Sequence, residues 1–261
     1  MENNNPWYIE GSSKARLVTV TPNGEEIIAY VARVTSKDQS NPNIKGLLKY
    51  CAKHGHWSIY DQADLTVEIV TPLAISIQIL RHASNKFQQF SGRYENQEEM
   101  RKHTDGLPAY ENMFYIPEEA RLQDTKNRQN SIVAEDPSLT DFMWKEMEFA
   151  YKACSQSYRN LISAGFAKEL ARFVLPEGVY TRLYMKGSVR SFYHYIKVRD
   201  DEGVAQHEHC EVAKAIREIF SKEFPTVYDA LCSSEQNNLQ KENEELKAEI
   251  QVLKAQLANR F

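Results

Sequence analysis

The segment from Pro72 to Leu80 is almost entirely apolar, and a charged residue, Arg81, follows it directly. A segment of this composition is expected to be buried. If it is helical, Gln78 and Arg81 are three residues apart and lie on one face. Because burying an unpaired guanidinium costs several kcal/mol, this face must meet an anion or open into a polar cavity. The segment therefore predicts a helix beside a site for an anionic ligand.

The residues after Arg81 are rich in hydrogen-bond donors. The run Gln88–Arg93 contains two amides, a hydroxyl, a glycine and a second arginine. Ser91 offers its hydroxyl, and Gly92 offers a backbone N–H where a larger side chain would block a phosphate. Such donors suit a phosphate group and the edge of a heterocycle.

The charge balance limits the class of partner. The chain has 261 residues, enough for one large or two small domains, and a formal net charge of -4 at pH 7. A general nucleic-acid-binding protein needs a basic surface, so this charge argues against that class, and any anion site must be local. Several arginines stand among apolar residues, which favours pockets over a charged surface. They are Arg81, Arg93, Arg172, Arg182, Arg190 and Arg199.

The N-terminal residues and the cysteines bear on the compartment. The run Met1–Pro6 has neither a basic start nor an apolar stretch, so we expect no signal peptide and no membrane-spanning segment. The cysteines form no CxxC pair, and we expect free thiols in a reducing cytoplasm. They are Cys51, Cys154, Cys210 and Cys232.

Strands and helices are predicted to intermix without regular βαβ alternation, which indicates an α+β fold. The polar residues 95–135 are predicted to form a long loop with short helices. The predicted strands are Ala15–Thr21, Leu65–Val70 and Val179–Met185. The predicted helices are Glu25–Val34, Asn43–His54, Pro72–Leu80, Asp136–Ala164, Ala167–Leu175, Val189–Val198 and Ala205–Phe224.

The run from Arg81 to Tyr94 resembles the signature of the flavin-dependent thymidylate synthases. That signature reads Arg-His-Arg, then seven residues, then Ser, usually followed by Gly-Arg-Tyr. Ala83 departs from it, because the family usually has a third basic residue there, and Gln88 and Gln89 stand where many members have Asn-Glu. The residues that match in identity and spacing are Arg81, His82, Ser91, Gly92, Arg93 and Tyr94.

Other segments of the chain resemble the same family in the same order. Together they extend the resemblance over residues 15–231. They are His54–Asp61, Asn112–Pro117, Leu170–Pro176, Tyr180–Arg182, Val189–Ser191 and Val198–Arg199.

The resemblance implies reductive methylation of dUMP to dTMP. Methylenetetrahydrofolate would donate the carbon, and FAD reduced by NADPH would supply the hydride. It also implies mixed helices with an antiparallel sheet, and a homotetramer whose sites are built from several subunits. These expectations leave no role for nucleic acid or membrane.

Arg199 is the catalytic residue that the resemblance implies, because it would stabilise negative charge developing on the uracil ring. The alternative is a surface ion pair with Asp200 or Asp201. For Arg172, the alternative is an interaction with a helix C-terminus. The implied dUMP-binding residues are Gln78, Arg81, Gln89, Ser91, Gly92, Arg93, Arg172 and Arg199.

The implied FAD-binding positions keep only part of the family's chemistry. Ala83 cannot donate to a diphosphate, and His194 replaces a usual Asn, so Lys86 or Arg182 would have to compensate. The implied positions are Ser58, Arg81, His82, Ala83, Gln89, Ser188, Val189, Arg190 and His194.

The histidines do not predict a metal site. His207 and His209 are two residues apart and would point away from each other on a helix. His54 and His56 would share a face only in an extended segment. We therefore expect no bound metal.

Two other functions compete with this interpretation. A flavin-free thymidylate synthase needs a cysteine nucleophile near arginines. A non-catalytic scaffold would instead display a coiled coil on a degenerate flavoprotein body, and Ala83, Gln89 and His194 favour it. The arginines retained in the matching segments argue against it.

The C-terminal residues 233–261 form a separate predicted unit after a thymidylate synthase domain of residues 1–232. Leucines recur every seven residues, and Asn243 occupies a seam position that favours a two-stranded coiled coil. The alternative is one amphipathic helix packed on its own body. The seam residues are Leu239, Asn243, Leu246, Ile250, Leu253 and Leu257.

Overall fold

The computed structural model describes residues 4–232. The heptad run of residues 233–261 lies outside them, so the coiled coil and the domain boundary before it remain predictions. The described chain divides into two compact units. Among the described residues, the first unit is built from residues 4–21 and 64–219, and the second from residues 22–63 and 220–232.

A five-stranded sheet forms the centre of the first unit, with the strand order β1-β2-β3-β9-β4. Every pairing in it is antiparallel. The prediction of an α+β fold with an antiparallel sheet is therefore confirmed. The strands are β1 (Tyr8–Glu10), β2 (Ser13–Val20), β3 (Asp64–Pro72), β4 (Lys86–Gln89), β5 (Ala109–Tyr110), β6 (Phe114–Tyr115), β7 (Arg121–Gln123), β8 (Ser131–Val133) and β9 (Tyr180–Ser188).

Apolar alternation places one face of the central strand β3 in the core. Leu65, Val67 and Ile69 are at most 1% exposed, as expected for residues that share a face. In the register of the sheet, Val67 lies opposite Met185 of β9, and Ile69 lies opposite Leu183. These cross-strand pairs hold β9 in register, so the segment that follows it has a fixed position.

Besides a helical stretch over residues 225–232, seven α-helices are described within residues 4–232. Asp136 caps the long helix, since its carboxylate accepts a hydrogen bond from the N–H of Ser138 at 2.9 Å. Ser188 caps α6 by accepting from the N–H of Ser191 at 3.2 Å. The helices are α1 (Gly24–Ala32), α2 (Lys45–Lys53), α3 (Leu73–Ile79), α4 (Pro137–Ser163), α5 (Lys168–Ala171), α6 (Val189–Arg199) and α7 (His207–Glu223).

The second unit contains α1, α2 and a helical stretch over residues 225–232. Asn23 adopts a left-handed φ of 53° just before α1. Gly24 begins the helix, and a Cβ there would stand 2.7 Å from the ring of Phe224. Tyr60 is fully buried, and its hydroxyl donates to the carbonyl of Leu48 at 2.9 Å. This unit therefore has a core of its own.

Three predictions differ from the structure. Residues 95–135 contain two short hairpins, β5–β6 and β7–β8, as well as a 3-10 helix over Gln97–His103, because strands of two or three residues leave no periodic pattern. The helix expected over Ala167–Leu175 is α5 followed by a 3-10 turn, since the pre-proline Leu175 is extended. Pro72 ends β3 and precedes α3 rather than lying in the first turn.

Finally, no helix among the described residues is long and apolar enough to cross a membrane.

Candidate functional site

The signature segment runs from β3 through α3 and a tight turn to β4. Burial of α3 is only partial: Ile75 and Ile79 are buried, but Ile77 is 48% and Leu80 is 39% exposed. Arg81, beyond the helix end, is also exposed. The expectation that this segment is buried therefore holds for only one side of the helix in the single chain, because a seven-residue helix packs one side on the protein and leaves the other open.

Arg199 and His82 form the centre of the polar site. The Nε–H of Arg199, the last residue of α6, donates to Nε2 of His82 at 3.0 Å. The alternative expected from the sequence is a surface ion pair of Arg199 with Asp200 or Asp201. In the structure, the carboxylate of Asp200 is bound by Arg217 instead, and Asp201 accepts from the N–H of Gly203 at 2.9 Å. Arg199 makes no ion pair with a carboxylate within residues 4–232, so its terminal N–H groups remain available to a ligand.

The protonation state of His82 follows from its surroundings. Burial, and then the charge of Arg199, lower its pKa from the ordinary value of 6.5. Nε2 accepts the bond from Arg199, so the proton of the neutral ring is on Nδ1. The edge of the His82 ring meets Tyr195, with ring centroids 4.9 Å apart. His82 therefore acts as a neutral acceptor that fixes the guanidinium.

Gln78 belongs to a second chain of hydrogen bonds beside this pair. Its Nε2 donates to Oε1 of Gln206 at 2.7 Å, and its Oε1 lies 3.1 Å from Nδ1 of His209. His209 is fully buried, and its Nε2 lies 3.1 Å from the hydroxyl of Tyr195. Burial, then Arg199 and His82, lower the pKa of His209 to about 3, so its ring is neutral at physiological pH.

A cavity of about 230 Å³ brings together three other predicted dUMP-binding residues, Gln89, Gly92 and Arg172. The amide of Gln89 donates to the hydroxyls of Ser76 at 3.0 Å and Thr181 at 3.2 Å. A Cβ on Gly92 would stand 3.5 Å from Cδ of Arg172, an ordinary van der Waals contact, so Gly92 and Arg172 lie side by side.

The arginines around this cavity differ in their pairing. Arg172 has no carboxylate partner in the described part of the chain; its guanidinium lies 6.0 Å from the ring centroid of Phe173. Arg93 instead pairs with Glu169 at 3.3 Å, and both side chains are more than half exposed. Ser91 lies in the turn before it, and its hydroxyl accepts from the N–H of Arg93 at 3.4 Å.

The predicted FAD-binding positions gather at the start of α6. Ser84, which follows Ala83, accepts a hydrogen bond through its carbonyl from the hydroxyl of Ser191 at 3.3 Å. Asn85 packs so closely that a Cβ on Gly187 would stand 2.0 Å from its Oδ1. The turn after Arg81 therefore lies against the helix that carries the remaining positions. On or beside that helix are Ser188, Val189, Arg190 and His194.

The donors at this place fit an anionic dinucleotide. The guanidinium of Arg81 makes neither a hydrogen bond nor an ion pair with any of residues 4–232, and the N-terminus of α6 adds a positive helix dipole. The amide of Asn85 is buried, and neither of its polar atoms has a hydrogen-bond partner. Arg182, suggested as a substitute for a basic residue at Ala83, faces Glu68 at 3.5 Å instead. Ser58 lies in the second unit, in a 3-10 helix over Trp57–Asp61.

The comparisons with known proteins agree on one family. A model of the family described as "Thymidylate synthase complementing protein" matches residues 16–226. The chain is 46% identical over 207 residues to a flavin-dependent thymidylate synthase of Synechocystis sp., covering 79% of this chain and 89% of that protein. It is 41% identical over 230 residues to the probable flavin-dependent thymidylate synthase of Paramecium bursaria Chlorella virus 1, covering 83% and 98%.

This chain belongs to the thymidylate synthase complementing protein family. The family expected from the signature is thus confirmed. Among solved structures, the UMP/dUMP methylase PolB of Streptomyces cacaoi, bound with 5-Br UMP, matches with a TM-score of 0.71 and 22% identity. The match covers 87% of this chain and 97% of that one, and it supports the fold.

The competing interpretation as a flavin-free thymidylate synthase is not supported by the pKa values of Cys51 and Cys210. Burial raises the pKa of Cys51 and of Cys210, whereas a nucleophilic cysteine needs a lowered pKa. Cys210 lies in α7, with its Sγ 3.8 Å from the carbonyl oxygen of Ala205. Among residues 4–232, no group of three His, Cys, Asp or Glu side chains could hold a metal ion, and His207 pairs with Glu211 at 3.2 Å.

Several residues of this family member's site escaped the sequence analysis. His209 appeared only in a histidine pair that does not predict a metal site, and Tyr195 showed no pattern that marks it as a site residue. Gln206 and Glu208 showed no pattern of their own. The available signal was the spacing of polar residues on buried helix faces, but that spacing does not say what each residue contacts.

Proposed function

We propose that this protein is a flavin-dependent thymidylate synthase that converts dUMP to dTMP. Methylenetetrahydrofolate donates the carbon, and NADPH and FAD provide the reducing equivalents. The observation that carries the proposal is the guanidinium of Arg199, which is fixed by His82 and has no carboxylate partner among the described residues. A cation in this state is held ready for an anionic or electron-rich ligand.

Arg199 acts on the pyrimidine ring. Its Nε–H is occupied by His82, so its two terminal NH₂ groups face the ligand. As negative charge develops at N3 and the carbonyl oxygens of the uracil, this cation stabilises it without having to reorganise first. Because burial and Arg199 lower the pKa of His82, the histidine stays neutral and does not oppose the charge of Arg199.

Arg172 and Gly92 bind the nucleotide phosphate. Arg172 lines the 230 Å³ cavity together with Gly92 and Gln89. A guanidinium offers two parallel N–H groups, a geometry that matches a phosphate. Gln89 is bound to two hydroxyls and orients the wall of this cavity rather than carrying charge. Ser91 and Arg93 complete the dUMP-binding set.

FAD is held where the turn after Arg81 meets the start of α6. Arg81, Arg190 and the helix N-terminus offer positive charge to its diphosphate. His82, Ser188 and His194 lie on the same two segments, and Ser58 is a further residue proposed for FAD. FAD, once bound, supplies the redox chemistry that no side chain can perform.

We propose that the working protein is a homotetramer located in the cytoplasm. Ile77 and Leu80 are large apolar side chains exposed beside Arg81. A second copy that covers this surface would bury them and would exclude water from the guanidinium. Deleting residues 233–261 tests the predicted coiled coil: a tetramer that persists without them would show that the tail is not needed for assembly.

Tritium release from 5-tritiated dUMP tests the proposed function. The full chain, with FAD, NADPH and methylenetetrahydrofolate, should release tritium, and omission of either FAD or NADPH should abolish the release. Release without FAD and NADPH would indicate the cysteine-dependent reaction. No release from a folded, oligomeric sample would favour the non-catalytic scaffold.

A further inference from the structure

The carboxylate of Glu208 determines which group donates in each hydrogen bond of the chain through Gln78. Glu208 is 3% exposed, and although burial alone would raise its pKa, the charge of Arg121 and several hydrogen bonds lower it. Glu208 is therefore ionised and only accepts hydrogen bonds. Arg121 and the hydroxyl of Tyr115 donate to its Oε1, and Nε2 of Gln206 donates to its Oε2 at 2.8 Å.

This carboxylate orients the two amides in sequence. Gln206 turns its Nε2 toward Glu208, so its Oε1 faces Gln78 at 2.7 Å and can only accept. Gln78 must then turn its Nε2 toward Gln206 and its Oε1 toward His209. Flipping the amide of either residue would bring two donors or two acceptors into contact. The free-energy cost would be that of desolvating each group left without a hydrogen-bond partner.

The same logic fixes the tautomer of His209. Oε1 of Gln78 can only accept, so Nδ1 of His209 carries the proton. Nε2 is then an acceptor, and the hydroxyl of Tyr195 must donate to it across 3.1 Å. Tyr195 is buried, and this raises the pKa of its hydroxyl, so it keeps its proton. Gln78 is thus held from the exposed side by Gln206 and from the buried side by His209.

After these two bonds, the side chain of Gln78 has one N–H and one lone pair left, and it makes no other hydrogen bond to residues 4–232. Its oxygen and nitrogen cannot exchange places without breaking the chain. The N–H and the lone pair that it presents to a ligand therefore have fixed positions. Uracil and cytosine differ at C4, where uracil has an oxo acceptor and cytosine has an amino donor.

We propose that His209, held by Tyr195, is a positioning residue that keeps the amide of Gln78 oriented to select a pyrimidine nucleotide with an oxo group at C4. A uracil oxygen accepts the remaining N–H of Gln78. A cytosine amino group in the same place would oppose donor to donor. This inference rests on the proposed function, because it takes Gln78 to contact the base of dUMP.

Binding of dUMP and dCMP to the full-chain holoprotein tests the inference by isothermal titration calorimetry. The measured quantity is the ratio of the two dissociation constants, because partial unfolding affects both alike. In H209L the donor to Oε1 of Gln78 is lost, so that Gln206 alone holds the amide in place, and the preference for dUMP should fall about tenfold. In H209N the side-chain amide can replace the Nδ1–H, and the preference should return to within about threefold of wild type.

The Y195F variant tests the same preference for dUMP over dCMP by removing the hydroxyl that donates to His209. Without the phenol, Nε2 of His209 can carry the proton, and Nδ1 then no longer donates to Oε1 of Gln78, so that Gln206 alone holds the amide in place. We expect the preference to fall in the same direction but by less, with the fold and the FAD content retained. This variant keeps the inference testable if H209L does not fold.

The possible outcomes distinguish a failure of the proposed function from a failure of the inference about His209. Wild-type protein that does not bind dUMP would remove the proposed function. Wild-type protein that binds dUMP and dCMP equally would overturn the inference alone. An unchanged preference in folded H209L or Y195F, or a preference in H209N as low as in H209L, would also overturn it, because the histidine would then act only through packing.

Discussion

Two groups of arginines in this protein differ in what neutralises them. Beside the long helix α4, Arg159 donates to Glu98 at 3.1 Å and also pairs with Glu111, and Arg101 pairs with Glu111 at 3.1 Å. Three of the arginines proposed for the site have no carboxylate partner among residues 4–232, whereas Arg93 pairs with Glu169. The three are Arg81, Arg172 and Arg199.

The difference separates structural arginines from ligand-binding ones. A cation that already has two carboxylates has little to offer an anionic ligand. A cation without one keeps its donors and its charge, and both are available when the ligand arrives. In this protein Arg199, the arginine proposed to serve catalysis, is held by a neutral histidine, His82, which orients it and leaves its charge intact.

The largest expected effect is on catalysis by R199A. Loss of the guanidinium should lower kcat/KM for dUMP by about a thousandfold, as for removal of one preorganised donor that stabilises charge. Tritium release measures it. R128A, which removes an exposed arginine of the β7–β8 turn, is the matched control and should keep wild-type activity. Equal activity of the two variants would contradict the role of Arg199.

The next effect is on nucleotide affinity in R172A. Removing an unpaired guanidinium from the cavity should raise the dissociation constant for dUMP about thirtyfold, because charge-assisted hydrogen bonds to phosphate are lost. R93A should raise it less, since Arg93 is exposed and shares its charge with Glu169. Calorimetric titration with dUMP measures both, and a larger effect in R93A would reverse the assignment.

A smaller effect, on stability alone, is expected for Arg159 of α4. R159M should lower the free energy of unfolding by about 1–2 kcal/mol, since a partly exposed network is disrupted and Glu111 loses a partner. Its kcat/KM per folded protein should equal that of wild type. Urea unfolding and tritium release measure the two quantities. Lost activity with unchanged stability would remove the distinction between the two groups.

The smallest effect is a change in proton binding. In R199Q the pKa of His82 should move up toward its ordinary value of 6.5, because the second cause of its lowering is removed. Above 6.5 the wild-type ring is neutral in both folded and unfolded states. As pH falls below 6.5 through the lowered folded pKa, protonation removes the acceptor for Arg199, and the stabilisation is lost. Histidine-selective NMR titration measures the shift, and an unchanged pKa would mean that Arg199 does not act on His82.

The elements with long periodic patterns were predictable from the sequence. The strand around Val67 and the helix α4 carry enough alternating or amphipathic residues to define their type, and Asp136 marks where α4 begins. The short strands β4 and β7 were not predicted, because four or fewer residues contain no period. Their place in the structure depends on pairing with distant segments.

The site was predictable only as a set of residue types. The signature and its collinear segments suggested Arg199 and Gln78 through resemblance to a family. No local pattern indicated that His82 orients Arg199 or that His209 contacts Gln78, since these residues are 117 and 131 positions apart. Such contacts are set by tertiary packing of α3, α6 and α7, which local sequence does not encode.

A crystal structure of the full chain with FAD and dUMP tests most directly the claim that the carboxylate-free arginines serve the ligand. The account predicts the uracil within hydrogen-bond distance of the terminal N–H groups of Arg199, and the phosphate within reach of Arg172. A dUMP molecule bound elsewhere, with Arg199 and Arg172 still without an anionic partner, would contradict it.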